Sequence, residues 1–322
     1  MNKLAAVTAV VFALTAEAAF AQQTTSVPSG PSPVPPPPQP SPWSGFHIGI
    51  DGGYAWDPNI YTLTIPVFAG FDNQEINDFT GVYSGITHSQ ASALSATGVI
   101  HPNVSGFFGG GQVGYDNQFG SSFVAGVEAD FQGAGIRGRG SFVGTAATSY
   151  TETEPKNSCS LLSTMGAGCT DTFTSLVQNE KSINWIGTAR VRFGYLAMPT
   201  LLVYGTGGLA YGGVSAQTSI SQSTGGHVSF ISPGGDGHIS DTRVGWTIGG
   251  GLEWLFSPNW SVKVEGLYYD LGTVRFASGP LENTFLTSEV IAGESNASNI
   301  LASTTHTSFY GEMFRVGLNY HF

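Results

Sequence analysis

The sequence predicts an all-β protein: an eight-stranded antiparallel up-and-down transmembrane β-barrel with four long external loops. Three observations carry that expectation. Apolar residues recur at every second position in eight separate segments, most of them longer than the ~9–11 residues a tilted strand needs to cross a bilayer. The links between these segments alternate strictly between long and short, as in outer-membrane barrels, whose turns are short on one side and whose loops are long on the other. Finally, the 322 residues include 45 glycines and 12% aromatics but only 10% charged residues, well below the ~25% of an ordinary soluble domain. The same numbers exclude other classes. Eleven Lys and Arg against 22 Asp and Glu give a net charge of −11, which leaves no basic face for nucleic acid. After the N-terminus no apolar run reaches the ~20 residues of a spanning helix.

Along the chain, Lys3 supplies a positive n-region, Leu4 to Ala16 is apolar, and Ala19-Phe20-Ala21 has the form of a signal-peptidase site. Residues 1–21 therefore read as a signal peptide, and the protein as exported. Residues 22–42, QQTTSVPSGPSPVPPPPQPSP, favour extended polyproline II and read as a Pro-rich periplasmic linker. The barrel is expected over 43–322.

The first four strands are Trp43–Trp56, Val104–Tyr115, Ser121–Phe131, and a fourth that sets Trp185, Gly187, Ala189, Val191, Phe193 and Tyr195 against Thr188, Arg190, Arg192 and Gly194. Thr200–Val214 is the fifth. A sixth sets Val244, Trp246, Ile248, Leu252 and Trp254 against Arg243, Thr247 and Glu253. In the seventh Trp260, Val262, Val264 and Tyr268 alternate with Ser261, Lys263 and Glu265, and in the last Phe314, Val316, Leu318, Tyr320 and Phe322 alternate with Arg315, Asn319 and His321. Long links are expected at 57–103, 132–181, 215–240 and 273–305, and short ones at 116–120, 197–199 and 257–258. Aromatics near the segment ends, at Trp43, Trp56, Tyr115, Phe131, Trp185, Tyr195, Phe256, Trp260, Tyr310 and Phe322, are where interfacial girdles belong.

Eight strands enclose a space only wide enough for side chains to fill. The inward charges on this register are Asp51, Glu128, Asp130, Glu253 and Glu265 against Arg190, Arg192, Arg243, Lys263 and Arg315, a balanced set able to pair as a lumenal network. Slipping a strand by one residue would turn these charges toward lipid, so the register is strongly specified. His47 and His321 lie at the same end of the first and last strands, which become neighbours on closure. They read as interior polar rings or, less simply, as a metal pair. Cys159 and Cys169 are the only cysteines, and in an oxidising compartment their bond would close a short loop worth roughly 2–3 kcal/mol. No cofactor and no metal site is expected. Residues 109–114 satisfy G-x-G-x-x-G, yet they lie inside a strand with no helix N-terminus to hold a pyrophosphate.

Five blocks resemble the α-proteobacterial outer-membrane immunogenic, or porin-family, proteins: WSGFHIGIDGGYAW (43–56), GFFGGGQVGYDNQFGSSFVAGVEADFQGAGI (106–136), IGTARVRFGYL (186–196) with LLVYGTGGLAYG (201–212), GWTIGGGLEWLFSPNWSVKVEGLYYDLG (245–272) and FRVGLNYHF (314–322). His47 departs from the Tyr usual at that place. The resemblance implies an OmpA-like eight-stranded barrel in the bacterial outer membrane, with lipid and the barrel-assembly machinery as partners and Phe322 as the C-terminal assembly signal. It supports location and fold more than activity. The function expected is a structural and surface-interaction role, not an enzyme, with a lumen plugged by charged side chains and with external ligands or host molecules met through the loops. A small porin allowing limited solute passage is one alternative. The other is capture of haem or another ligand by the loops: some relatives are described as haem binders, and His88, His101, His227, His238 and His306 would face outward as candidate axial ligands.

Overall fold

Strict alternation satisfies a strand on both faces only if the strand finds hydrogen-bonding neighbours on both edges, and an uninterrupted ring supplies them without leaving an open edge. A computed structural model describes residues 41–57, 62–72, 91–150, 169–225, 229–231, 235–286 and 298–322. Their strands are β1 (Gly45–Asp57), β2 (Thr62–Asp72), β3 (Gly98–Ile100), β4 (Val104–Phe119), β5 (Phe123–Tyr150), β6 (Cys169–Met198), β7 (Leu201–Gly225), β8 (Ser229–Ile231), β9 (Gly235–Ser257), β10 (Trp260–Leu286) and β11 (Ser298–His321). Eight long strands, β1, β4, β5, β6, β7, β9, β10 and β11, pair antiparallel with their neighbours in chain order, and β11 pairs with both β10 and β1. The sheet is therefore ring-like. The joining ladder runs from His47↔His321 to Trp56↔Glu312. Above it β2 takes over the edge of β11, and β3 and β8 add short pairings to β2 and β10. No helix among the described residues is long and apolar enough to cross a membrane.

Three connections are tight. Gly120, at φ 61°, turns β4 into β5 in a conformation that costs glycine no Cβ clash. Pro199 and Pro258 sit between β6 and β7 and between β9 and β10, where no ladder needs their missing N–H. The expected long links are largely strand instead: β5 continues to Tyr150, β6 begins at Cys169, β7 runs to Gly225 and β10 to Leu286. Stretches such as Thr170–Val177 and Gln217–Thr224 are rich in Thr, Ser and β-branched residues, so strand propensity persists after the apolar outer face, which marked the ends, has stopped.

Large apolar side chains point outward from the ring in a continuous band: Ile48, Ile50, Val127, Val191, Leu209, Ile248, Val264 and Val316 are exposed. Aromatic contacts bound the band on both sides. Toward the short turns, Phe46 meets Tyr115 at 4.9 Å, Phe123 meets Tyr195 at 5.6 Å and Trp260 meets Tyr320 at 5.2 Å between ring centroids. Toward the long hairpins, Tyr54 meets Phe107 at 5.0 Å, Phe131 meets Trp185 at 5.5 Å and Trp246 meets Tyr268 at 5.3 Å. Some eight residues separate the two aromatic rings on β1, β9 and β10, from Phe46 to Tyr54, Trp254 to Trp246 and Trp260 to Tyr268. At ~3.3 Å per residue and a tilt of ~40° this is roughly 20 Å, close to the ~25 Å apolar belt of an outer-membrane barrel. Trp43 is the exception: it is 1% exposed and turns inside, where its indole N–H donates to the Pro199 carbonyl at 2.9 Å. It precedes β1, so no strand pleat forces it outward, and a buried indole needs an acceptor that the turn provides.

Candidate functional site

The inside of the ring is filled in layers. At the turn end Trp43, Val124, Leu196, Leu202, Tyr204 and Leu255 form an apolar floor. Above it lies an ionic layer, and above that a second apolar cluster that includes Phe108, Ile136, Ile186, Leu267, Leu271 and Phe309. Higher still, a helical turn at 91–95 and the residues after it pack on the inner face of β5–β7. There Ser95 Oγ lies 2.6 Å from Ser175 Oγ, and Ser92 donates to Gln222 at 2.9 Å.

The ionic layer is the chemically distinctive part. Arg315 is fully buried and reaches Asp51 and Asp130 at 2.9 Å each, Glu265 at 2.5 Å and Glu128 at 3.4 Å. Arg190 contacts Glu128, Asp130 at 3.2 Å and Glu265 at 2.9 Å. Arg192 spans Glu128 at 3.3 Å and Glu253, and stacks over the Tyr204 ring at 4.3 Å. Lys263 donates to both oxygens of Glu128, at 2.8 and 2.9 Å, and to Gln112 at 2.5 Å. Strand pleat explains the convergence: each residue occupies an inward position of its strand, and the cross-strand pairs Glu128↔Arg190, Lys263↔Glu253 and Glu265↔Arg315 place opposite charges side by side. Ions removed from water need such multiple partners, since one contact rarely repays desolvation.

Of the ten charges expected inside, the structure brings nine together and sets one apart. Arg243 lies above the ionic layer, where Leu271 and Val274 fill the interior, and an unpaired guanidinium there would lose its hydration. It stays about a third exposed, donating to the Thr273 carbonyl at 3.2 Å and pairing with Asp241 at 3.5 Å. The layer also holds residues that charge counting missed. Asp116 is buried beside His47 and Arg192, Gln132 donates to Asp51 at 2.9 Å, and Asn319 donates to Glu253 at 2.7 Å. Asn319 shares the inward phase of an expected strand, whereas Asp116 and Gln132 each lie one residue past an expected strand end. The sequence places them at the start of a turn and of a long link, but β4 runs four residues beyond its expected end and β5 continues past Phe131 to Tyr150.

His47 and His321 face each other inside, with ring centroids 5.4 Å apart. Gly114 makes room for His47: a Cβ there would stand 2.5 Å from the imidazole. Among the described residues no group of three or more His, Cys, Asp or Glu is arranged to hold a metal ion. Cys159, and with it the expected pairing to Cys169, lies outside the described residues, as do His88 and His227 and the whole segment 1–40. His101 and His238 are exposed and His306 is half-buried on β11.

Farther from the turns, beyond the outer aromatic ring, buried Lys181 lies 3.5 Å from Asp57, donates to the Ser308 carbonyl and sits 4.4 Å above the Phe309 ring. Burial pushes its ammonium down to about 7, with Asp57 opposing. An unfolded lysine holds its proton to ~10.4, so between these limits the folded chain binds fewer protons there and this site makes stability rise with pH. The double substitution K181M/D57N removes both charges, and urea titrations at several pH values should show that part of the slope gone; an unchanged slope would assign it elsewhere.

These features, an apolar belt outside and ions inside, accompany a clear sequence relationship. The 31 kDa outer-membrane immunogenic protein of Brucella melitensis biotype 1 is 31% identical over 280 residues, covering 87% of this chain and 84% of that protein. The chain belongs to the family of the 31 kDa outer-membrane immunogenic proteins. The family member from Brucella suis biovar 1 matches with the same figures. A 22 kDa outer membrane protein of Rhizobium leguminosarum bv. viciae is 32% identical over 112 residues, 33% of this chain and 45% of that one. Among solved structures, the outer membrane protein OprG from Pseudomonas aeruginosa is 12% identical with a TM-score of 0.39, covering 87% of this chain and 96% of that one. No family model matches the chain. Membership in this family places the protein in the outer membrane of a Gram-negative cell envelope.

Proposed function

We propose that the protein is a closed, eight-stranded transmembrane barrel of the OmpA-like kind whose lumen is plugged by its own side chains, and that it serves as a structural and surface-interaction protein. The observation that carries this reading is the unbroken filling of the ring: floor, ionic layer, apolar cluster and the 91–103 segment follow one another along the interior. A water-filled path would need a gap in every layer. On this reading residues 1–21 direct export and 22–42 form the periplasmic linker. Phe322, exposed beside Tyr320 at the turn end, is the signal for the assembly machinery. The short turns face the periplasm, and four long hairpins stand outside as the surface through which other molecules are met. Catalysis has no part in it.

Planar-bilayer recording of the purified protein tests the plug. The expected result is a quiet membrane, and a stable ion current of general-porin size would overturn the reading in favour of solute passage.

A further inference from the structure

The outer face of the belt is not evenly filled. A groove of about 740 Å³ crosses it over β1, β4 and β5. Its lining falls on two neighbouring outward rows of the ladder, Leu318↔Ile50↔Gly111↔Phe131 and Tyr320↔Ile48↔Val113↔Ala129. Gly111 and Ala129, the smallest residues facing outward there, form the floor. One end of the groove reaches Trp260 and Tyr320, in the aromatic ring on the turn side. At the other end Phe131 and Tyr211 flank Trp185, with ring centroids 5.5 and 6.1 Å from it.

Nothing within the chain keeps Gly111 small. A Cβ there would meet only the Gly49 carbonyl, at an ordinary 3.7 Å, whereas at the inward-facing Gly110 it would collide with the Phe131 carbonyl. The ladder runs regularly through Gly111 on both sides, so no bulge calls for glycine either. Glycine weakens a strand interior, and where neither packing nor a bulge requires it, the remaining use is close approach of another molecule to the backbone.

Polarity and depth say which molecule. Gln112 and Asp130 border the groove but turn their side chains into the ionic layer, and the Tyr211 hydroxyl donates to the Asp130 carbonyl at 3.4 Å. Between Tyr211 and the turn-side ring the outward side chains are all apolar, and they lie at the depth of hydrocarbon. A second copy related by a twofold axis would set hollow against hollow, whereas a flexible hydrocarbon chain conforms to the space. Three rings wall the hairpin end, so entry is from the turn side, where Trp260 and Tyr320 mark the headgroup level. That leaflet of an outer membrane is phospholipid, while lipopolysaccharide occupies the other.

We propose that this groove binds one acyl chain of a phospholipid from the periplasmic leaflet, laid against the backbone at Gly111 and held between Ile50 and Leu318 on one side and Phe131 on the other. The inference rests on the transmembrane reading. Arginine at Val264 tests the belt itself, so a belt that rejects arginine around a groove that holds no lipid would remove this inference alone.

The test is a urea titration of the full chain in detergent micelles with increasing dioleoyl phosphatidylcholine. A ligand that binds only the folded chain stabilises it, so the parent's midpoint should rise and saturate. G111L/A129L fills the floor and should show no such rise. G266L is the control: Gly266 faces outward on β10 outside the groove, a Cβ there meets nothing within 4 Å, and its midpoint should rise as the parent's does. Lipopolysaccharide in place of the phospholipid should not separate the parent from G111L/A129L. Native mass spectrometry of protein extracted from outer membranes should find one phospholipid on the parent and on G266L, and none on G111L/A129L. A phospholipid titration that fails to separate the parent from G111L/A129L overturns the proposal. So does a lipopolysaccharide or a second copy of the chain that is bound by the parent and lost with the same substitutions.

Discussion

Replacing Arg315 with methionine is expected to destabilise the barrel by about 3–5 kcal/mol, the usual cost of removing one partner from a buried ion cluster. Arg315 is the hub of the ionic layer, the side chain on which Asp51, Asp130, Glu265 and Glu128 all converge. Removing the guanidinium leaves those carboxylates in a dry interior with one cation fewer, and methionine fills the volume without offering a donor. The magnitude comes from what is left behind, so relieving part of it should restore part of the stability: R315M/E265Q is expected to be more stable than R315M alone. Arg139 supplies the control. It pairs with Glu180 at 3.0 Å, but with side chains 79% and 39% exposed, so R139M should cost no more than ~1 kcal/mol. Urea unfolding in detergent micelles, followed by tryptophan fluorescence and by the mobility of unboiled samples on gels, compares the three. Equal midpoints for R315M and R139M would show that water reaches the ionic layer.

Why Arg315 could be named in advance, while the layer around it could not be drawn, is a matter of what the pleat reveals. Period-two alternation states which residues share a face, and Asp51, Glu128, Asp130, Arg190, Arg192, Glu253, Lys263, Glu265 and Arg315, which share the inward phase, are buried. It says nothing about height. Arg243 shares the inward phase but lies above the ions, among apolar neighbours, because height depends on register between strands far apart in sequence. The apparent balance of five and five charges was therefore off at both ends: Arg243 leaves the layer and Asp116 enters it. Strand ends were blurred for a related reason. The outer apolar face that defines a crossing segment stops at the aromatic ring, whereas the hydrogen-bonded ladder of β5 and β6 carries on to Tyr150 and Cys169. Once the outer face no longer selects for hydrophobicity, sequence shows only Thr- and Ser-rich chain, which reads as loop although β propensity is retained.

The outer face makes the second large prediction. Arginine at Val264 is expected to cost about 2–4 kcal/mol, the price of a charge at the middle of a hydrocarbon slab. Val264 is four residues from Trp260 and four from Tyr268, so it sits midway between the two aromatic rings, with Leu252 and Val316 beside it on β9 and β11. Its side chain points away from the ionic layer, and arginine there has no carboxylate within the ring to meet. Thr304 tests the depth dependence. It faces outward on the same side of the sheet but lies beyond Tyr310, on the part of β11 that pairs with β2, so T304R should stay within ~0.5 kcal/mol of the parent. The contrast between these positions, rather than either value alone, decides the solvent. A sheet whose exterior met water would accept arginine as readily at Val264 as at Thr304, because both are outward positions on a regular ladder and neither change creates a cavity. A lipid belt of the thickness that the aromatics define must penalise the first and spare the second, since only Val264 lies between the two aromatic rings.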